Sequence, residues 1–142
     1  MADTDLLFGW ANDAGARSWS KSSHPISREE HSRWMALNVW HGYPTHSVMI
    51  ADTDFGSVGV VRFDMFKNDV MSFRVSITVG SDHRGKGLGY EMLDRACHVM
   101  GDSILTAEIK SSNMASRRIF EKCGFEEDSH SSVAITYRRE PL

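Results

Sequence analysis

The most regular pattern in the chain is VMSFRVSITV, residues 70–79. Met71, Phe73, Val75, Ile77 and Val79 alternate with Ser72, Arg74, Ser76 and Thr78. A period of two predicts a β-strand with one apolar and one polar face. Two more strands are predicted upstream, HSVMIAD (46–52) and SVGVVRFDMF (57–66), separated by a turn around Asp54 and Gly56. Residues 67–69 make a short polar connection, so the second and third strands should form an antiparallel hairpin. The period then changes. Leu88, Met92, Leu93, Ala96, Val99 and Met100 recur at helical spacing. SILTAEI (103–109) reads as a strand. SSNMASRRIFEKCG (111–124) reads as a helix with Ala115, Ile119, Phe120 and Cys123 inward, stopped by Gly124. SSVAITYRR (131–139) is a last strand. At the start of the chain, Leu6, Leu7, Trp10, Ala11 and Ala14 predict a helix over 5–14, capped by Asp3 or Thr4. Ser27 and Glu30 form a capping box for a second helix carrying Trp34 and Leu37. Helix, helix, three strands, helix, strand, helix, strand describes an α+β (mixed α/β) fold around one sheet, a single domain over 1–142.

Composition narrows the function classes. The 142 residues carry a net charge of −3, with 41% hydrophobic and 25% charged positions. A nucleic-acid-binding chain usually has a basic excess, so no nucleic-acid partner is expected. No basic-then-apolar leader opens the sequence, and no apolar run reaches membrane-spanning length. A cytoplasmic protein with no membrane partner is the expectation. Cys97 and Cys123 fall inside helical apolar patterns and form no CxxC pair, which favours buried free thiols over a disulfide or nucleophile. The histidines at 24, 31, 41 and 46 have no H-x-x-x-H spacing and no nearby cysteine, so no metal site is expected.

The segment SDHRGKGLGYEML, 81–93, carries the candidate chemistry. Glycines let consecutive backbone N–H groups converge on an anion, and a helix N-terminus adds its own free N–H groups. Arg84 and Lys86 add positive charge. Three phosphate loops compete. A Walker loop needs Ser or Thr after Gly-Lys, and Gly87 stands there. A dinucleotide fingerprint needs G-x-G-x-x-G, and neither Gly85 nor Gly87 starts one. What remains is R-G-x-G-x-G between a strand and a helix.

Arg84-Gly85-Lys86-Gly87-Leu88-Gly89 resembles the acetyl-CoA diphosphate loop of the GNAT superfamily of N-acetyltransferases, R/Q-x-x-G-x-G/A. A second signature follows one helix and one strand later. Asn113, Ala115, Ser116 and then Phe120-Glu121-Lys122-Cys123-Gly124-Phe125 are similar to N-x-x-S-x-x-x-[YF]-E-K-x-G-F. The resemblance covers residues 46–140 and, more loosely, the N-terminal helices. There, Trp10-Ala11-Asn12-Asp13, Arg17, Ile26-Ser27, Glu29-Glu30-His31 and Trp34 resemble the pattern of nucleotide-sugar acetyltransferases, including the pseudaminic acid pathway branch; acetyltransferases of ribosomal protein N-termini and antibiotics carry partial versions.

The resemblance implies a GNAT-like central sheet, mostly antiparallel and flanked by helices. The superfamily's first strand looks missing or vestigial here. The implied reaction moves an acetyl group from acetyl-CoA to the primary amine of a small acceptor, a nucleotide-linked amino sugar in this branch. By resemblance, Arg84, Gly85, Lys86, Gly87, Leu88 and Gly89 hold the diphosphate. Ile77, Thr78 and Val79 form the pantetheine track, with a backbone N–H near Val79 facing the thioester oxygen. Asn113, Ser116 and Phe120 meet the rest of the arm. Phe120 stands where many members carry a proton-donating tyrosine, which leaves Ser116 or solvent to protonate the thiolate. Glu108 is the candidate base, because Ala107 and Ile109 beside it face the other way on the strand. His31 is its rival. Arg17, His31 and Trp34 are candidates for the acceptor, with Trp19 a second ring for stacking. Residues 14–34 contain four basic and two acidic side chains, +2 in a chain of −3, which suits an anionic acceptor. Two other readings stay open: a protein N-terminal or lysine acetyltransferase, and a non-catalytic acyl-CoA-binding module. Homodimer formation is left open.

Overall fold

A computed structural model describes residues 2–18, 24–37, 46–66 and 69–142. Trp19, Lys21, His41 and the connection at 67–68 lie outside the described residues. Helices α1 (Ala2–Ala11), α2 (Ala14–Ser18) and α3 (Arg28–Met35) come first. Strands β1 (His46–Thr53), β2 (Gly56–Phe66) and β3 (Asp69–Val79) follow as a meander. Then come α4 (Leu88–Val99), β4 (Ile104–Lys110), α5 (Met114–Lys122), β5 (Glu126–His130) and β6 (Ala134–Arg139). The six strands form one sheet in the order β1-β2-β3-β4-β6-β5, antiparallel throughout except for β3 against β4. No described residue before His46 is in a strand, so β1 is a sheet edge among the described residues.

The alternation that predicts the strands also divides the molecule into layers. Val61 and Phe63 of β2, Phe73 and Val75 of β3, Leu105, Ala107 and Ile109 of β4, and Ile135 and Tyr137 of β6 point to one face. Met92, Leu93, Ala96 and Cys97 of α4 and Phe120 and Cys123 of α5 close over them to form the core. The opposite face carries the polar members of the same strands, and α1–α3 pack across part of it.

Several local expectations shift. Helix α1 starts at Ala2, ahead of the expected Asp3 or Thr4 cap. Val99 and Met71 are exposed and Ala115 faces solvent, because each lies at the rim of its apolar stripe. Strand β5, EEDSH, has no apolar alternation and is exposed along its length; it pairs with β6 as the outer strand. An edge strand of this kind needs no buried face, and its acidic side chains discourage pairing with a further chain.

Candidate functional site

Between Val79 and α4 the chain makes a short 3-10 turn at Ser81–His83 and then the glycine loop. Gly85 and Gly87 adopt φ of +77° and +78°, and residues 84–87 are exposed. A side chain at either glycine would meet open space, so backbone conformation is what demands glycine there. Gly87 is the N-cap of α4, so the first free N–H groups of the helix open onto this loop. Gly89 has a different task. It is buried, and a Cβ on it would lie 2.9 Å from Ile119 Cδ1, so it lets α4 and α5 approach closely. This exposed, positive-φ loop at a helix N-terminus fits a diphosphate.

The strand before the loop ends in a splay. β3 and β4 pair only at Ser72–Ile104, Phe73–Leu105 and Arg74–Thr106. Beyond that point β3 stays paired to β2 as far as Gly59–Val79, and β4 stays paired to β6 as far as Lys110–Ala134. The hydrogen-bond directions follow from strand alternation. The Gly80 N–H donates to the Val58 carbonyl (2.7 Å), so even-numbered residues at this end of β3 bond toward β2. The N–H and C=O groups of Ile77 and Val79 therefore point toward the gap. On β4, the Ser111 N–H donates to the Val133 carbonyl (3.0 Å), so the backbone of Glu108 points into the gap from the other side. A strand edge that ends against a gap presents backbone donors and acceptors suited to an amide-bearing chain such as pantetheine. Thr78 faces the polar side, and Ile77 and Val79 pack their side chains on the core.

The Arg84 side chain is not spread over the glycine loop. Its Nε donates to the Val79 carbonyl (3.0 Å) and its Nη2 to Asp13 Oδ2 (2.7 Å). Asp13 also accepts the Ala16 N–H (3.0 Å) and so caps α2. The guanidinium beside it and the capped amide hold the Asp13 carboxyl below its ordinary range. Arg84 thus clamps the end of β3 and the α1–α2 junction to the loop. The neighbouring motif residues are structural as well. Asn12 accepts the Ile26 N–H (2.6 Å) and donates to the Ile26 carbonyl (2.8 Å). Trp10 lies against Gly80, where a Cβ would come within 2.8 Å of its Nε1.

The second signature reads the same way. Asn113 is the N-cap of α5, its side-chain oxygen accepting the Ser116 N–H (3.2 Å), which leaves its Nδ2 for a ligand. The Gly124 N–H donates to Glu121 O and the Phe125 N–H to Phe120 O, both at 3.1 Å, a Schellman stop with Gly124 at φ +89°. Phe120, expected along the cofactor arm, is instead 3% exposed and packs edge-to-face on Phe125 with 5.0 Å between centroids. That apolar pair is the contact that accompanies a Schellman stop, so the ring belongs to the core. Ser116 is half-buried in the first turn of α5.

On the polar face, Glu108 is exposed between buried Ala107 and Ile109. Lys110, on the same face, donates to the Ser18 carbonyl (2.8 Å) and ties α2, which carries half-buried Arg17, over this end of β4. His31 and Trp34 come together on α3, with ring centroids 5.9 Å apart. His31 is 4% exposed and also packs on Phe8 (5.4 Å). Burial, and then the charge of Arg28, push its pKa down, so this imidazole is a neutral wall of an aromatic cluster. That is a poor setting for the rival base, since so buried a ring is shut off from solvent. Arg28 bonds Asp5 and covers Phe8, which cancels part of the basic excess counted along 14–34. Arg62 of β2 lies over Trp34, 5.3 Å from the ring centroid; the sequence pattern did not single it out. Among the described residues no cluster of three or more His, Cys, Asp or Glu is arranged to hold a metal ion. No described helix is long and apolar enough to cross a membrane. Burial pushes the thiols of Cys97 and Cys123 up to about 11 and about 12, so both are protonated core groups.

A cradle of positive-φ glycines thus lies at the mouth of a splayed parallel strand pair. The model of the acetyltransferase (GNAT) domain matches residues 1–126. The chain belongs to the GNAT acetyltransferase family. The L-amino acid N-acyltransferase MnaT of Escherichia coli K12 is 30% identical over 109 residues, 70% of this chain. That match spans 60% of the relative's own length. The L-methionine sulfoximine/L-methionine sulfone acetyltransferase of Pseudomonas paraeruginosa is 28% identical over 139 residues, 89% of this chain and 76% of the relative. Among solved structures, spermidine N-acetyltransferase from Vibrio cholerae, in complex with CoA and spermine, shares the fold. Its TM-score is 0.80 at 15% identity, covering 96% of this chain and 88% of that one.

Proposed function

We propose that this GNAT protein transfers an acetyl group from acetyl-CoA to the primary amine of a small acceptor, and that the acceptor is an amino acid or a close analogue. The observation that carries the reading is the splay of β3 from β4 beyond Arg74–Thr106, with the Gly85–Gly89 cradle at its mouth. Bound acetyl-CoA supplies the acyl group as an activated thioester. The cradle amides hold the diphosphate, and the gap-facing backbone of Ile77 and Val79 holds the pantetheine arm with help from Asn113 Nδ2. The Val79 N–H is the donor for the carbonyl oxygen as negative charge builds on it. Glu108, at the rim of the gap, takes the proton of the attacking amine. The C–N bond forms as the C–S bond breaks, and the departing thiolate takes its proton from solvent or the Ser116 hydroxyl.

Two similar proteins are named for amino-acid or amino-acid-analogue acceptors, which supports that choice. A nucleotide-linked amino sugar is the second reading. The W-A-N-D…I-S-x-E-E-H-x-x-W resemblance favours it, but Asn12, Asp13 and His31 have structural partners that account for their pattern, and Arg28 is matched by Asp5.

Two measurements test the reading. Calorimetry with acetyl-CoA should show binding that Arg84→Glu with Gly87→Val abolishes; unchanged binding in that variant refutes the cradle. A thiol-release screen should then set L-amino acids, L-methionine sulfone among them, beside UDP-linked amino sugars, polyamines and amine-bearing peptides. Release with L-amino acids supports the proposal. Release only with sugars or peptides moves the acceptor, and binding without release from any acceptor leaves a non-catalytic acyl-CoA module.

A further inference from the structure

The polar face beside the gap contains an arginine that neither sequence signature accounts for. Arg62 stands opposite Ser76 in the β2–β3 ladder. The β3–β4 ladder ends at Arg74–Thr106, so Ser76 and Glu108 each lie two residues past its last pair and flank the gap at one level. Arg62 is one strand further out, about 4.8 Å laterally. Its Nε donates to Asp64 Oδ2 (2.9 Å), and the other oxygen of Asp64 is 2.8 Å from His46 Nδ1. Trp34 covers one flank of the guanidinium at 5.3 Å. The Nε bond and the ring fix the plane of the group and leave Nη1 and Nη2 as a fork. Arg74 offers no equivalent, because its guanidinium lies over Phe66, 4.7 Å from the centroid, toward the closed end of the hairpin.

We propose that Arg62 reads a free carboxylate on the acceptor, with Trp34 as the wall beside it. The inference rests on the transferase reading above and specifies its acceptor class. An amino acid carries its carboxylate one carbon from its amine. With the amine at the gap beside Glu108, the carboxylate reaches over β3 toward Arg62, whose side chain has about 4.8 Å to cover laterally from the level of Ser76. A planar fork matches a carboxylate in two parallel hydrogen bonds. Phosphate oxygens would suit an arginine too, but Asp64 and Glu108 share this face, so the two negative charges of a diphosphate are opposed more strongly than the one of a carboxylate.

The test uses the L-amino acid most active in the thiol-release screen, its α-carboxamide and the corresponding amine without the carboxyl group. The wild-type protein should favour the acid over the carboxamide by about 10- to 100-fold in kcat/KM, the range of a charge-assisted bidentate contact. Arg62→Gln should remove that preference, chiefly by raising KM for the acid, and change the carboxamide by less than about threefold. Arg62→Lys should recover part of the preference, and Arg74→Gln should leave it intact. Equal wild-type rates on acid and carboxamide would overturn the assignment while the transferase reading stands. So would an Arg62→Gln loss that is the same for both, since that is what a purely structural arginine gives. An Arg62 effect confined to a UDP-linked amino sugar would assign the fork to phosphate and overturn it as well. Acetyl-CoA binding with no release from any acceptor would defeat the transferase reading itself and this inference with it.

Discussion

Asp13→Asn separates the two jobs of one side chain. In the native protein, Asp13 Oδ2 accepts from Arg84 Nη2 at 2.7 Å and from the Ala16 N–H at 3.0 Å. Asparagine keeps an oxygen for the helix cap and loses the charge. The Arg84 and Asp13 side chains are 40% and 21% exposed, so the pair is only partly shielded from water. A pair so exposed contributes about 0.5–1 kcal/mol, the upper part of the surface range. For a chain of this length, that lowers Tm by about 2–4 °C. Asp13→Ala also removes the cap, worth about 1 kcal/mol, and should lower Tm about twice as far. The pH dependence has a definite sign. The Asp13 pKa is lowered on folding, so its contribution is fully present above the unfolded carboxyl value of 3.8 and is lost as pH falls through the lower folded value. The gap in Tm between wild type and Asp13→Asn should hold at neutral pH and close in acid below that value. Because Arg84 also holds the Val79 carbonyl at the gap, the freed arginine should weaken acetyl-CoA binding about three- to tenfold, equivalent to about 0.7–1.4 kcal/mol. Thermal melts from neutral to acid pH and calorimetry at neutral pH read both effects. A Tm gap that persists undiminished well below the carboxyl range, or unchanged affinity together with unchanged Tm, would refute the clamp.

Gly87→Ala forces a Cβ onto a φ of +78° and should cost about 1 kcal/mol while weakening acetyl-CoA binding, as calorimetry would report. Gly89→Ala should lower Tm with a smaller effect on affinity, because its Cβ meets Ile119 Cδ1 rather than the open loop. Glu108→Gln should lower kcat about 100-fold or more with Tm nearly unchanged, the side chain being exposed on β4; a full-rate variant would remove it as base. Phe120→Ala should destabilise the fold by about 3–5 kcal/mol in denaturant titrations, because it empties a core position and removes the apolar half of the Schellman stop.

What sequence reading recovers here is whatever is local. The two-residue period of 70–79 marks a strand with a dry and a wet face, the glycines of 85–89 mark a positive-φ turn into a helix, and Gly124 marks a helix stop; each is decided within about ten residues. The splay is different in kind. Its signal is the absence of pairing between β3 and β4 beyond Arg74–Thr106, and nothing along either strand encodes where a ladder with a distant partner stops. Arg62 has no local signal for the same reason: on its own it is a polar residue alternating with Val61 and Phe63, and only the cross-strand register sets it opposite Ser76 at the edge of the gap. Strand β5 lacks a buried face and so lacks a period to detect.

The Arg84 side chain has structural partners that its place in the glycine motif does not suggest. As the first residue of an anion loop it invites the reading of a phosphate ligand. In the fold its guanidinium is taken by a carboxylate 71 residues away and by the carbonyl that ends β3. In the proposed donor site, anion binding then falls to the backbone of Gly85–Gly89, the N-terminal end of α4 and Lys86. Glycines, not cations, are the irreplaceable part of such a loop, since an N–H cradle needs the positive φ and a positive charge can come from several places. The clamp gives the N-terminal helices a direct hold on the glycine loop. Trp10 of α1, Asp13 at the α1–α2 junction and Trp34 of α3 belong to one N-terminal layer, so the layer that carries the proposed acceptor wall also anchors Arg84.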